Sequence, residues 1–340
     1  MLKLDQLLKL DNPITATLGA TLQTIEARRS RGLDPGERLD GKVCMVTGAN
    51  SGLGRATAID LAGRGAHVIM ACRSGIPAAG DEVKRLSGSS RVEMVKLDLA
   101  DFAAVEELAR TLRDRKVVLD ILVLNAAVVP SHSRRTKNGF EEMFQVNFLS
   151  NFLFLRRLLA YGIVPNRHFG NNGVDATAPR PRIVIVSSES HRSAKPLDLE
   201  ALGRYVEYGA MGGVAQYAHT KLLLCTLASE LSRRLSDEHG VDVAVHSLCP
   251  GPVNSNMARE APAWVKLVLK PLMQVFFSPP AVAAHPVVYL AGARALEGQT
   301  GRYMHLMRQK AAAPAACDAD IGQRLWQRAS GLLAAAGIAA

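Results

Sequence analysis

Tyr217 and Lys221 stand four residues apart in Tyr217-Ala218-His219-Thr220-Lys221, and no other tyrosine of the chain has a lysine at that spacing. On a helix, four residues put both side chains on one face. A phenol beside a fixed ammonium ionises more easily and can exchange a proton near neutral pH. Far upstream, Thr47-Gly48-Ala49-Asn50-Ser51-Gly52-Leu53-Gly54 forms a glycine-rich turn. Glycines between a strand and a helix let the backbone approach a pyrophosphate, which then sits at the helix N-terminus. A proton-exchanging phenol and a dinucleotide cradle in one chain imply hydride transfer.

The second strand ends in Cys72-Arg73, where NAD-binding domains commonly carry an acidic side chain for the ribose hydroxyls. With no carboxylate to repel a 2′-phosphate and a guanidinium able to pair with it, NADP(H) is the expected cofactor. Arg55, just past the glycines, is a candidate to assist.

These residues need a scaffold of alternating strands and helices. Apolar runs predict strands at Val43–Thr47, His67–Cys72, Arg91–Leu97, Ile121–Leu124, Ile183–Val186 and Val241–Leu248. Helical patterns cover Arg55–Arg64, Phe140–Tyr161 and Tyr217–Leu235. The rhythm predicts an α/β, doubly wound Rossmann fold, with a mostly parallel seven-stranded sheet and helices on both faces. One such domain spans about 41–310, after an N-terminal extension (1–40) with a short amphipathic pattern and before an Ala-rich tail (311–340). The Pro-, Gly- and Asn-rich stretch between Pro165 and Arg182 reads as a surface insertion.

Composition narrows the class. The 340 residues are 48% hydrophobic, ample for a core, and no apolar run is long enough to span a bilayer. Lys3, Asp5, Lys9 and Asp11 interrupt what a signal peptide would need as an apolar segment. Five scattered cysteines without a CxxC pair fit a reducing, cytoplasmic setting rather than disulfides or a metal site. The net charge of +10 is dispersed without interleaved aromatics, so no nucleic-acid partner is expected, while peripheral contact with an anionic membrane is compatible with it.

The glycine turn, Leu122-Val123-Leu124-Asn125-Ala126-Ala127, Ser187-Ser188, Tyr217-x-x-x-Lys221 and Pro250-Gly251-Pro252-Val253 occur in this order. With them the chain resembles the short-chain dehydrogenase/reductase family over roughly 41–305. Ala71-Cys72-Arg73 and Asn138-Gly139-Phe140-Glu141-x-x-Phe144-Gln145-Val146-Asn147 look like its retinol-dehydrogenase and protochlorophyllide-reductase branch. The resemblance implies that Ser188 hydrogen-bonds the substrate oxygen and that Tyr217 is the general acid or base. It implies that Lys221 lowers the Tyr217 pKa and holds the nicotinamide ribose, while Asn147 positions a water leading to solvent. Asp98 and Leu99 would meet the adenine, and Asn125 and Ala126 would lie beneath the cofactor. Pro250, Gly251, Val253 and Ser255 would hold the carboxamide; Gly48, Asn50, Ser51, Gly52, Leu53 and Gly54 would hold the pyrophosphate. It further implies a homodimer or homotetramer formed through the long helices after the fourth and fifth strands. The chain departs from the branch at Phe148-Leu149-Ser150-Asn151, where His-Leu-Gly-His is usual, and at Ala127, where the family has Gly.

Other polar residues near these motifs read as structural. Glu189 and Lys195 look like solvated loop charges, His191 and His219 like structural or exposed rings, and Cys225 and Cys249 like small buried residues. A lid over about 257–280, with Trp264, Leu267, Leu269, Phe276 and Phe277, suits a bulky lipophilic alcohol or carbonyl substrate, an oligomer interface or a membrane-docking helix. Competing functions are a light-dependent pyrrole reductase of the protochlorophyllide type and a non-catalytic nucleotide-binding scaffold.

Overall fold

A computed structural model describes residues 32–170, 180–253 and 278–338. The N-terminal amphipathic pattern, most of the lid and Ser255 lie outside the described residues.

The predicted β–α alternation is present: β1 (Val43–Thr47), α1 (Gly52–Gly63), β2 (His67–Cys72), α2 (Ala78–Ser87), β3 (Val92–Lys96), α3 (Phe102–Asp114) and β4 (Ile121–Leu124). After β4 the chain turns through Glu142–Phe144 and a wide π turn, Gln145–Leu149, into α4 (Ser150–Ala160). Then follow β5 (Arg182–Val186), α5 (Ala210–Arg234), β6 (Ala244–Cys249), α6 (Pro280–Gly292), β7 (Tyr303–His305), β8 (Arg308–Lys310) and α7 (Ala319–Ala335).

The strands form one sheet in the order β8-β7-β6-β5-β4-β1-β2-β3. Neighbours from β3 to β7 pair in parallel, and β8 folds back antiparallel on β7. The sheet therefore has eight strands where seven were expected. Arg308, Gln309 and Lys310 are all exposed, so β8 has no buried face and no apolar alternation to announce it.

Alternate side chains of the buried strands feed two cores. Met45, Ile69, Leu122, Ile183 and Val245 face α3, α4 and α5, while Val46, Val68, Val123, Val184 and Leu248 face α1 and α6. Both flanks join this packing. Leu33 and Leu39, from the expected extension, are buried with α6 residues, and Leu325, Ala329 and Leu333 of α7 enter the first core. The Trp326 ring meets Phe152 edge-on at 4.9 Å and lies under the Arg234 guanidinium, so α7 covers α4 and α5. Among the described residues no helix is long and apolar enough to cross a membrane.

Two boundaries differ from the pattern. Helix α5 starts at Ala210, seven residues before Tyr217, despite Gly212 and Gly213. A Cβ at Gly212 would lie 2.8 Å from Tyr208 Cβ, so the glycine reflects the buried Tyr208 rather than a break. The strand expected from Val241 begins at Ala244, because Gly240 and Val241 pair instead with Ser236 and Asp237 in a small hairpin.

Candidate active site

Strand order reverses at β1, with β2 on one side and β4 on the other, so the loops leaving β1 and β4 diverge and open a crevice at the strands' C-terminal ends. The resulting cavity of about 890 Å³ is lined by the glycine turn, Arg73, Asp98, Leu99, Asn125, Ala126, Ser188, Tyr217, Lys221, Pro250, Gly251 and Val253. One cleft thus collects almost every residue singled out from the sequence.

The glycines are there for space. Gly48 sits at φ +66°, and a Cβ on it would come within 2.9 Å of Ala126 Cα. A Cβ on Gly54 would collide with the Gly48 carbonyl and approach Asn125 Nδ2 to 2.5 Å. Asn125 braces the turn: its Nδ2 donates to the Thr47 carbonyl at 2.9 Å, and the Asn125 and Ala126 amides both donate to Thr47 Oγ1 at 3.0 Å. The turn leads directly into α1, whose first residues, Gly52, Leu53 and Gly54, line the cavity. A cradle that a single extra carbon would fill fits a pyrophosphate approached by bare backbone.

Arg73 is exposed, lines the cleft and forms no ion pair with a described residue. Arg55 does not join it, because its guanidinium pairs with Glu82 of α2. The Asp98 carboxylate accepts from the Ala100 amide at 3.0 Å, which sets the Asp98-Leu99 loop. Ser150, standing where the branch has glycine, donates to the Leu99 carbonyl at 2.6 Å and ties that loop to α4.

At the other end of the cleft, Ser188 leaves β5 and Tyr217 and Lys221 present the same face of α5. The two serines separate cleanly. Ser187 Oγ is buried, donates to the Lys221 carbonyl at 3.0 Å and accepts from Cys225 Sγ at 3.1 Å. Ser188 instead lines the cleft beside the Tyr217 phenol, and its Oγ accepts from the Ser190 amide at 3.2 Å. The hydroxyl left beside the Tyr217 phenol is that of Ser188.

Lys221 is 2% exposed; its Nζ donates to the Val186 carbonyl at 2.9 Å and lies 5.4 Å from the Tyr217 ring centroid. Burial lowers its pKa to about 8, against the opposing pull of Cys225 and Cys249. The phenol moves the other way from expectation. Burial, reinforced by Cys249, raises the Tyr217 pKa, and the Ser188 hydrogen bond only partly opposes it. The reason is geometric: the ammonium stands over the ring and is anchored to a carbonyl, while the desolvation of the phenol favours its neutral form. Tyr217 is thus held protonated, ready to act as an acid.

Asn147 is buried in the π turn. Its Oδ1 accepts from the Val128 amide at 2.8 Å, and its Nδ2 donates to the Val128 carbonyl at 3.1 Å and to Thr220 Oγ1 at 3.3 Å. It locks the exit of β4 to the helix bearing Lys221. Asn151 Nδ2 donates to the Val146 and Asn147 carbonyls at 3.0 Å, satisfying acceptors that the widened turn would otherwise strand.

Sequence reasoning missed the far wall. Glu189 is half-buried and networked rather than solvated, and it lines the cleft together with His305 and Lys310. His191 is structural: its Nδ1 donates to the Ser188 carbonyl at 2.7 Å, so its Nε2 accepts the Ala313 amide at 3.0 Å. Cys225 and Cys249 are buried as expected.

Comparison with known proteins agrees with this arrangement. A family model described as short chain dehydrogenase matches residues 42–192. Retinol dehydrogenase 13 of Mus musculus is 35% identical over 302 residues, covering 87% of this chain and 84% of that protein. Dehydrogenase/reductase SDR family member 13 of Bos taurus is 35% identical over 306 residues, covering 89% and 75%. A crystal structure of an uncharacterized protein from Mycobacterium paratuberculosis matches with a TM-score of 0.64 at 25% identity, covering 89% of this chain and 97% of that one.

Proposed function

The chain belongs to the short-chain dehydrogenase/reductase family and is a nicotinamide-dependent oxidoreductase, and on that premise we propose that it reduces a lipophilic ketone or aldehyde, or oxidises the matching alcohol, with NADP(H). The observation that carries this reading is the cleft itself, with a backbone-built phosphate cradle at one end and Ser188, Tyr217 and Lys221 at the other.

When bound, the cofactor supplies or accepts the hydride. The glycine turn from Gly48 to Gly54 would hold its pyrophosphate, Arg73 a 2′-phosphate, and Pro250, Gly251 and Val253 the carboxamide. Ser188 would donate to the substrate oxygen. Tyr217 would deliver a proton to that oxygen in reduction and remove one in oxidation. Lys221 supplies a cation behind the phenol, and Asn147 keeps α5 in register with β4. Val128, Val129, Pro130, Val146, Val186 and Pro252 give the cavity an apolar lining suited to a lipophilic body. The relative named retinol dehydrogenase 13 supports a lipophilic alcohol or carbonyl as substrate.

The test is an NADPH-oxidation screen over medium- and long-chain ketones and aldehydes, run beside NADP reduction with the corresponding alcohols. Turnover with at least one lipophilic pair is expected. Absence of turnover in both directions, with the cofactor bound, overturns the proposal.

A further inference from the structure

We propose that Lys310 and His305 form a carboxylate-binding subsite in the substrate half of the cleft, so that the substrate is an oxo acid or hydroxy acid with an apolar body. This rests on the oxidoreductase reading above and names the substrate class within it.

The same cavity carries charge, since Glu189, His305 and Lys310 line it together with Ser188 and Tyr217. Glu189 is already well served. It accepts from the Tyr303 hydroxyl at 2.9 Å and from Arg192 Nε at 3.2 Å, and Arg192 is held in place by the Ala311 carbonyl. Lys310 reaches the same carboxylate only at 3.6 Å. Two permanent cations therefore share one carboxylate, and Arg192 is the better paired of the two. The surplus positive charge belongs to Lys310, whose side chain remains 40% exposed.

The closest partner of Lys310 is a ring nitrogen. Its Nζ lies 2.9 Å from His305 Nδ1. An ammonium can only donate, so Nδ1 must accept and the ring proton must sit on Nε2. Burial lowers the pKa of that ring, with Lys310, Arg192 and Arg308 adding to it against the opposing pull of Glu189, in keeping with this tautomer. Among the described residues nothing accepts from His305 Nε2–H. The wall thus offers the remaining ammonium protons and an imidazole N–H, while each oxygen of the Glu189 carboxylate already accepts one hydrogen bond. A surface with more donors than acceptors, carrying net positive charge, selects an oxyanion. The valine- and proline-lined side of the same cavity would take the rest of the molecule.

Binding of decanoate and of decan-1-ol to the full-length protein saturated with NADP, measured by calorimetry, tests the subsite without requiring turnover. Decanoate should bind on the order of tenfold more tightly. K310Q should erase that preference, K310R should keep it, and K84Q, which removes a lysine from distant α2, should leave it unchanged. Equal affinity for the two ligands, a preference that survives K310Q, or an equal loss in K84Q overturns the proposal. Turnover of 10-oxodecanoate against its methyl ester supplies the second arm, with the free acid expected to have the higher kcat/KM by a similar factor. If neither compound is turned over while decanoate binding depends on Lys310, the subsite stands and the proposed reaction fails.

Discussion

The two ends of the cleft are built by different means. The cofactor end is made of backbone: Gly48, Gly54 and the Thr47 carbonyl, braced by Asn125 from the neighbouring strand. The substrate end is made of side chains brought together across the sheet, with Tyr303 meeting Glu189 from 114 residues away and Ala313 meeting His191 from 122. Backbone recognition tolerates almost no added atom but carries little information about the ligand beyond its phosphates. Side-chain recognition tolerates substitution in the fold and decides which molecule reacts.

That contrast can be broken from either end. The largest expected effect is at Tyr217. Tyr217→Phe should lower kcat by about 10²–10⁴-fold, the usual worth of a positioned acid, while NADP affinity measured by titration stays nearly the same. A parallel loss of cofactor affinity would show that the two ends are not separable. Arg73→Ala makes the converse test. It should weaken NADPH by roughly 10–100-fold, as expected for a lost charged hydrogen bond, and leave NADH almost unaffected. Gly54→Ala should cost about 1–3 kcal/mol through overpacking against the Gly48 carbonyl, visible as a lowered melting temperature together with poorer cofactor binding.

The smallest effect is a pH signature of the buried lysine. Lys221 loses its proton as pH rises through about 8, so the rate of carbonyl reduction should decline over that interval. Stability should respond in the opposite sense. Between about 8 and the ordinary value of 10.5 the unfolded chain binds a proton that the folded chain does not, so this group's contribution favours the fold increasingly as pH rises and is lost as pH falls through 8. Rate and denaturant-melt profiles over pH 7–10 check both signs.

The geometry of the glycine-turn end was almost fully legible in the sequence because its determinants are local. A strand, three glycines and a following helix lie within about twenty residues, and the Asn125 brace ends an unbroken apolar run. The Tyr217–Lys221 pair was legible for the same reason, since helical spacing is a local property. The direction of the Tyr217 shift was not. It depends first on the burial of the phenol and then on Cys249, and both are set by chain segments distant from Tyr217 in sequence. The pairing of Arg55 with Glu82 was not legible either, because Glu82 comes from a different helix. Glu189 looked like a loop charge because Tyr303, His305 and Lys310 lie on strands whose arrival beside it no nearby residue announces.

The His191 ring couples two distant stretches of chain. Its carbonyl partner belongs to Ser188, and its amide partner, Ala313, lies three residues beyond the last strand of the sheet. The polypeptide past position 310 is therefore a strut behind the Ser188 backbone, and cutting the chain there would leave that serine without its rear support.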